Sequence, residues 1–371
     1  MKIKLYAAVF ALVMVPTPAA AAPSSSWPQS GYGPGNTHYN PAESRLNADT
    51  IGQVKQRWTL ATRSSRCDTG VRPVLDGKSL FSNDPGGVGA YDPATGKRRW
   101  HVDLPQTTVS RLGLADGKLL MLSSECRVPA DFESHLTAFD PGTGKRLWAT
   151  GLKKFSYDMR IDQGTVVLDS NQDGLASTIA FGVNDGRQRW LRMGDRGDGL
   201  VSANGRLLLR RANGGAAAVA ITTGKTLWET RSNWYAGGTD PAGTRFYVGS
   251  TEGLTAVDAA TGRKIWSTKF QVSDVTSDKT HVFYSQYRSA TALDARTGRK
   301  LYSVHTPSAA GRTSRAGGLL YTPTDDGLVV AGAATGVPLK QPKIAADHDH
   351  PPVIAGGWLY VTENGFLRAY H

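Results

Sequence analysis

Cysteine is almost missing: Cys67 and Cys126 are the only two in 371 residues. That excludes a multiply stapled scaffold and leaves room for one disulfide in an exported chain. No G-x-S-x-G elbow, HExxH or Gly-rich phosphate loop is present, so the signatures of serine hydrolases, zinc proteases and nucleotide enzymes are absent. No apolar run spans a bilayer; the stretch from Leu5 to Val15 is too short. Long runs of like charge are lacking too, which argues against specific nucleic-acid binding even though the formal charge is +12.

What is there begins with a leader. Residues 1–22 place Lys2 and Lys4 before a short apolar core and an Ala-rich stretch, the order of a secretory signal peptide cleaved near Ala22. The mature chain is expected to be soluble, extracytoplasmic and without a transmembrane anchor. Its basic balance favours anionic partners.

The informative feature is repetition. "DPATGKRRW" closes at Trp100 and "DPGTGKRLW" at Trp148; related copies close at Trp190, Trp228, Trp266 and Tyr302, and a worn one, "GAATGVPLK", at Lys340. An interval of roughly 40 residues marks a repeat architecture. Within a copy, short β-rich runs alternate with Gly and Asp turns, as in an antiparallel meander, and the Thr-Gly pair suits a tight hairpin. The aromatic that follows can pack between neighbouring sheets.

Radial repetition of such sheets gives an all-β single propeller. The C-terminus carries the first strands of a copy but no closing Trp, whereas the segment ending at Trp58 carries only the closing strand. The two ends are therefore expected to complete one blade and close the ring. Counting Trp58, Trp100, Trp148, Trp190, Trp228, Trp266, Tyr302 and Lys340 gives eight four-stranded antiparallel blades, with seven as the fallback. The domain reading is leader 1–22, lead-in and closing strand 23–57, and propeller 58–371.

The motif AxDxxTGxxxW resembles that of the pyrroloquinoline-quinone (PQQ) repeat family. The segment from Trp27 to Trp58, with its Trp-Pro and Tyr-x-Pro, is similar to the lead-in of quinoprotein alcohol dehydrogenases. The resemblance covers nearly all of the mature chain and implies the fold. It also implies two classes of activity, because the family holds both PQQ- and calcium-dependent dehydrogenases and non-enzymatic propellers, one of them a lipoprotein subunit of the outer-membrane β-barrel assembly machinery. The lipobox cysteine of that subunit is missing here. Many of the enzymes carry a disulfide between adjacent cysteines, which Cys67 and Cys126 cannot form. The blades are nearly minimal, and no compact acidic cluster announces a calcium site. No catalytic residue is carried over, and no cofactor is expected; PQQ with calcium belongs to the alternative reading, a dehydrogenase acting on an alcohol or sugar.

Candidate residues gather around the expected channel mouth. Arg72, Arg111, Arg160 and Arg312 come from four blades and point to a receptor for an anionic ligand, against the plainer reading that they pair with acids such as Asp68 or Asp158. Trp234 and Tyr235 break the repeat register at a mouth loop, where they would stack on a sugar or quinone or plug the channel. His348 and His350 alternate with Asp347 and Asp349 and could join in holding a metal, against the plainer reading of a polar loop. Cys67 and Cys126 lie on loops of one face in adjacent blades, so a structural disulfide is expected. The function expected is a secreted, non-enzymatic module that binds an anionic glycan or an extracytoplasmic protein.

Overall fold

The computed structural model describes residues 25–63, 72–126, 133–172, 174–272 and 274–371. Eight antiparallel sheets form the blades of a ring. Blade 1 runs from Val74–Asp76 to Arg98–Asp103, blade 2 from Thr107–Ala115 to Arg146–Leu152, and blade 3 from Phe155–Asp162 to Gln188–Met193. Blades 4, 5 and 6 run from Ser202–Ala203 to Thr226–Thr230, from Tyr235–Thr239 to Lys264–Ser267, and from Thr276–Ser277 to Lys300–His305. Blade 7 holds Ser314–Ala316, Leu319–Thr324 and Gly327–Gly332, and blade 8 holds Val353–Ala355, Trp358–Glu363 and Phe366–Tyr370. Its outer strand is Gln56–Ala61, so the two ends of the chain do share one blade. Lys55 and His371 seal that join by exchanging backbone hydrogen bonds of 3.1 Å in both directions.

The repeated motif is an inter-blade joint. Each closing Trp lies opposite a small residue of its own blade, as Ala90 faces Trp100 and Ala256 faces Trp266, and a bulge follows each alanine. The indole then reaches the turn of the next blade. Nε1 of Trp58 donates to the Pro93 carbonyl, that of Trp100 to Pro141, that of Trp190 to Ile221 and that of Trp266 to Ala295, at 2.8–3.0 Å. The Thr-Gly glycine of that turn lies against the ring: a Cβ on Gly298 would sit 2.5 Å from Trp266, and its φ is +72°. No other residue satisfies both the left-handed backbone and the contact.

Blade 7 shows why the Lys340 copy is worn. Gly336 still receives the Tyr302 ring, and Tyr302 Oη donates to the Ala333 carbonyl. The outer strand shrinks to a single bridge between Ala331 and Pro338. Blade 8 has no Thr-Gly turn to receive an aromatic, because the ring closes there through Lys55 and His371. Leu339 packs instead on the cluster holding Ile51 and Val54 around the short 3-10 helix Ile51–Gln53.

The lead-in circles the axis. Ser26 and Trp27 pair with blade 1, Gln29 bridges Gly113 of blade 2, and the Gln29 side chain exchanges two hydrogen bonds with Ile161 of blade 3. Carbonyls of Pro34, Gly35 and Thr37 accept from Ser202, Thr239 and Ser277 of blades 4, 5 and 6. Tyr39 and Asn40 pair in parallel with Arg315 and Ala316 of blade 7, giving that blade its fourth strand, and Asn40 Nδ2 donates to Ile354 of blade 8. Residues 26–40 thus touch all eight innermost strands in order, near the ends that lead into the first turns. Tyr32, Asn36 and His38 keep positive φ in this collar, a cost that the surrounding contacts must overcome.

Candidate functional site

The four arginines do gather around the axis, above the collar. Arg72 and Arg312 precede the innermost strands of blades 1 and 7, whereas Arg111 and Arg160 lie within those of blades 2 and 3. Their hydrogen bonds differ from either sequence expectation, since most run to backbone oxygens of the lead-in and neighbouring blades. Arg160 donates to the carbonyls of Ser30, Gly33 and Leu200 at 2.7–3.2 Å. Arg312 donates to those of Asn36, Gly237 and Val275 and pairs with Asp274 at 3.1 Å. Arg72 reaches Ser30 Oγ and the Asp349 carbonyl. Among the described residues two of the four thus pair with an acid, Arg312 with Asp274 and Arg111 with the anticipated Asp158 at 2.9 Å. The arginines are therefore first of all braces that fasten the collar to the blades.

Among the described residues of this cage, positive charge exceeds negative. Among the described residues Arg72 and Arg160 make no ion pair. Burial, followed for Arg72 by Arg111 and Arg312, lowers the pKa of Arg72 to about 10, and burial likewise lowers that of Arg160 to about 10. His38 is 1% exposed with neither ring nitrogen hydrogen-bonded. Burial first, then Arg312, Arg72 and Arg160, hold its pKa well below the ordinary histidine value, so the ring is neutral. Nε of Arg72 and Nε of Arg312 are also buried without a partner. A cavity of about 330 Å³ opens here, lined by Arg72, Arg312, Asp274, Thr276, Thr313 and His348 among others. Buried donors without acceptors around a positive cavity are chemically suited to an anion.

Trp234 and Tyr235 stand apart from this cavity. They line a separate groove on the same face, between blades 4 and 5, together with Arg196, Arg210, Arg211 and Arg231. Tyr235 opens the innermost strand of blade 5 and its hydroxyl donates to Val272 O, so it plugs no channel. The two histidines are not pooled on one ion. His348 lies between Asp325 and Asp349, while His350 faces Asp347 at 3.7 Å. No group of three metal-binding side chains occurs among the described residues. The two rings thus face different carboxylates, Asp325 and Asp349 for His348 and Asp347 for His350. Cys126 follows the second strand of blade 2, and its N–H donates to Gln106 O. Cys67 lies outside the described residues, as do the leader and Asp68.

Sequence reasoning missed His38, Ser30 and Asp274, and it missed the groove arginines. None of them sits in the repeat. His38 had one readable signal, its position in a lead-in too long to be a bare linker.

A family model described as outer membrane protein assembly factor BamB matches residues 45–153 and 132–287. No curated protein sequence matches significantly. Among solved structures, the quinohemoprotein alcohol dehydrogenase of Comamonas testosteroni is similar with a TM-score of 0.73 at 14% identity, over 95% of this chain and 81% of that one. A europium-containing methanol dehydrogenase gives 0.72 at 14% identity, over 91% and 89%. BamB from Moraxella catarrhalis gives 0.65 at 16% identity, over 86% and 99%. At such identities these likenesses concern the fold. No helix among the described residues is long and apolar enough to cross a membrane.

Proposed function

The chain belongs to the PQQ-repeat β-propeller family, and from that premise we propose that it is an exported, non-enzymatic binding module whose axial cavity takes an anionic group, a carboxylate, sulfate or phosphate. The observation that carries this reading is the pair of arginines itself: Nε of Arg72 and Nε of Arg312 are buried without a partner, and both side chains line the cavity. The BamB match supports a binding role, and the dehydrogenase neighbours favour a cofactor enzyme. Against the latter stands the set of acids near the axis. Asp158 is committed to Arg111 and Asp274 to Arg312, whereas a calcium ion needs several converging oxygen ligands. Asp158 and Asp274, each held by an arginine, do not fit a calcium-held quinone.

The test is a thermal-shift and calorimetric titration of mature protein at low salt with citrate, sulfate, phosphate, and PQQ plus calcium. A ligand at 100 times its Kd stabilises by about 2.7 kcal/mol. Asp274 competes with the ligand for Arg312, so Asp274→Asn should tighten anion binding several-fold. Stabilisation by none of the anions, or no gain in affinity in Asp274→Asn, overturns the reading. Stabilisation confined to PQQ with calcium moves the chain to the enzymes.

A further inference from the structure

The groove between blades 4 and 5 shares no lining residue with the axial cavity, and it has its own chemistry. It encloses about 760 Å³. Its walls come from three loops of one face: Arg210 to Gly214, Arg231 to Tyr235, and Ser250 to Glu252. Arg196 joins them through two backbone hydrogen bonds with Arg210, at 3.0 and 2.9 Å. Arg210 and Arg211 are neutralised by Asp198 and Glu229. Arg196 and Arg231 are exposed and make no ion pair among the described residues. Trp234 lines the same groove, half-buried, and packs on the blade 4–5 core. Tyr235 is held by its bond to Val272 and lies against Gly249, where a Cβ would be 2.2 Å from its ring.

We infer that this groove binds an acidic oligosaccharide, with Trp234 stacked on one sugar face and Arg196 and Arg231 forking the carboxylates of neighbouring uronate residues. A fixed indole offers apolar area at little entropic cost, and a guanidinium matches a carboxylate in two hydrogen bonds. Ser232, Asn233, Ser250, Thr251 and Glu252 supply the remaining wall. Their hydroxyl, amide and carboxylate groups suit sugar hydroxyls. A nucleic acid is a poorer match, because single strands need successive stacking platforms along a continuous basic track.

The test is isothermal titration of the mature full chain with a short oligogalacturonate, with its methyl-esterified form, and with an oligo-dT. The acidic sugar should bind at low salt, and the ester, which has the same rings without the charges, should bind at least about tenfold more weakly, the loss of one charge-assisted contact or more. Arg196→Ser/Arg231→Ser should lose about tenfold or more. Both side chains are exposed, so the fold should survive, and an unchanged melting temperature checks it. Trp234→Ala should lose affinity for acid and ester alike. Equal binding of acid and ester, tighter binding of oligo-dT, or unaltered affinity in the double arginine variant overturns the inference. Anion binding in the axial cavity should persist in that double variant, so the two readings fail separately.

Discussion

Replacing Gly298 by alanine should loosen the ring at one joint, and the structure sets the size of the effect. Gly298 has φ +72°, and holding alanine in the left-handed region costs about 1–2 kcal/mol. The new Cβ would lie 2.5 and 2.7 Å from two ring carbons of Trp266. That indole is 7% exposed, so it cannot swing aside without repacking, which costs about 1–3 kcal/mol. Its 2.9 Å hydrogen bond to the Ala295 carbonyl would lengthen or break, a further loss of about 1 kcal/mol. The sum is about 4 kcal/mol. Gly86 provides the control, since its φ is +87° but nothing lies within 4 Å of its Cβ position. Gly86→Ala should carry only the backbone cost of about 1–2 kcal/mol. With an unfolding entropy of about 2.1 cal/mol/K per residue, each kcal/mol moves the melting of a propeller this size by about 1–2 °C. Differential scanning calorimetry should therefore lower the melting temperature by about 6 °C in Gly298→Ala and about 2 °C in Gly86→Ala. Equal shifts would show that the recurring glycine serves only the turn, and the inter-blade joint would lose its energetic role.

Arg160→Met should destabilise by about 2–4 kcal/mol, because three carbonyls braced by one buried guanidinium lose their donor; limited proteolysis should then cut within residues 26–40, and intact protection would refute the brace. Asp169 is fully buried with one carboxylate oxygen unpartnered, and burial raises its pKa to about 6. Because the folded value lies above the unfolded one, the penalty is absent below about pH 4 and complete above about pH 6, where it reaches on the order of 3 kcal/mol. Asp169→Asn should therefore gain stability over wild type as pH rises through that window, read as the difference between two melting-temperature profiles; parallel profiles would reject it.

The ring was legible because its constraint is periodic. A tryptophan, the alanine opposite it and the glycine beneath it in the next blade recur together, so the sequence repeats what the joint requires. The Lys340 copy was legible as weak, but its cause was not: nothing local says that the partner turn is missing, since that turn is replaced by the pairing of Lys55 with His371. The arginines were legible as a convergent set, but most of their hydrogen-bond partners were not. Their partners are backbone oxygens such as Ser30 O, 130 residues from Arg160, and a carbonyl leaves no mark in the residue alphabet. The groove arginines come from separate loops without periodicity, so only the folded ring assembles them.

The collar also decides which part of the cage is open to chemistry. Guanidinium nitrogens already holding Ser30, Gly33 and Asn36 cannot turn to a ligand without releasing the lead-in, and buried donors left unpaired are costly. What remains is Nε of Arg72 and of Arg312, beside a neutral His38. A neutral imidazole adds no repulsion to the guanidiniums around it, which lets buried Arg160 and half-buried Arg72 and Arg312 share one end of the axis. An anion entering the cavity would relieve the positive excess and accept from those unpaired donors. The same side chains thus fasten the lead-in and leave part of their hydrogen-bonding capacity for a ligand, so collar integrity and anion affinity should fall together in Arg160→Met and part company in Asp274→Asn.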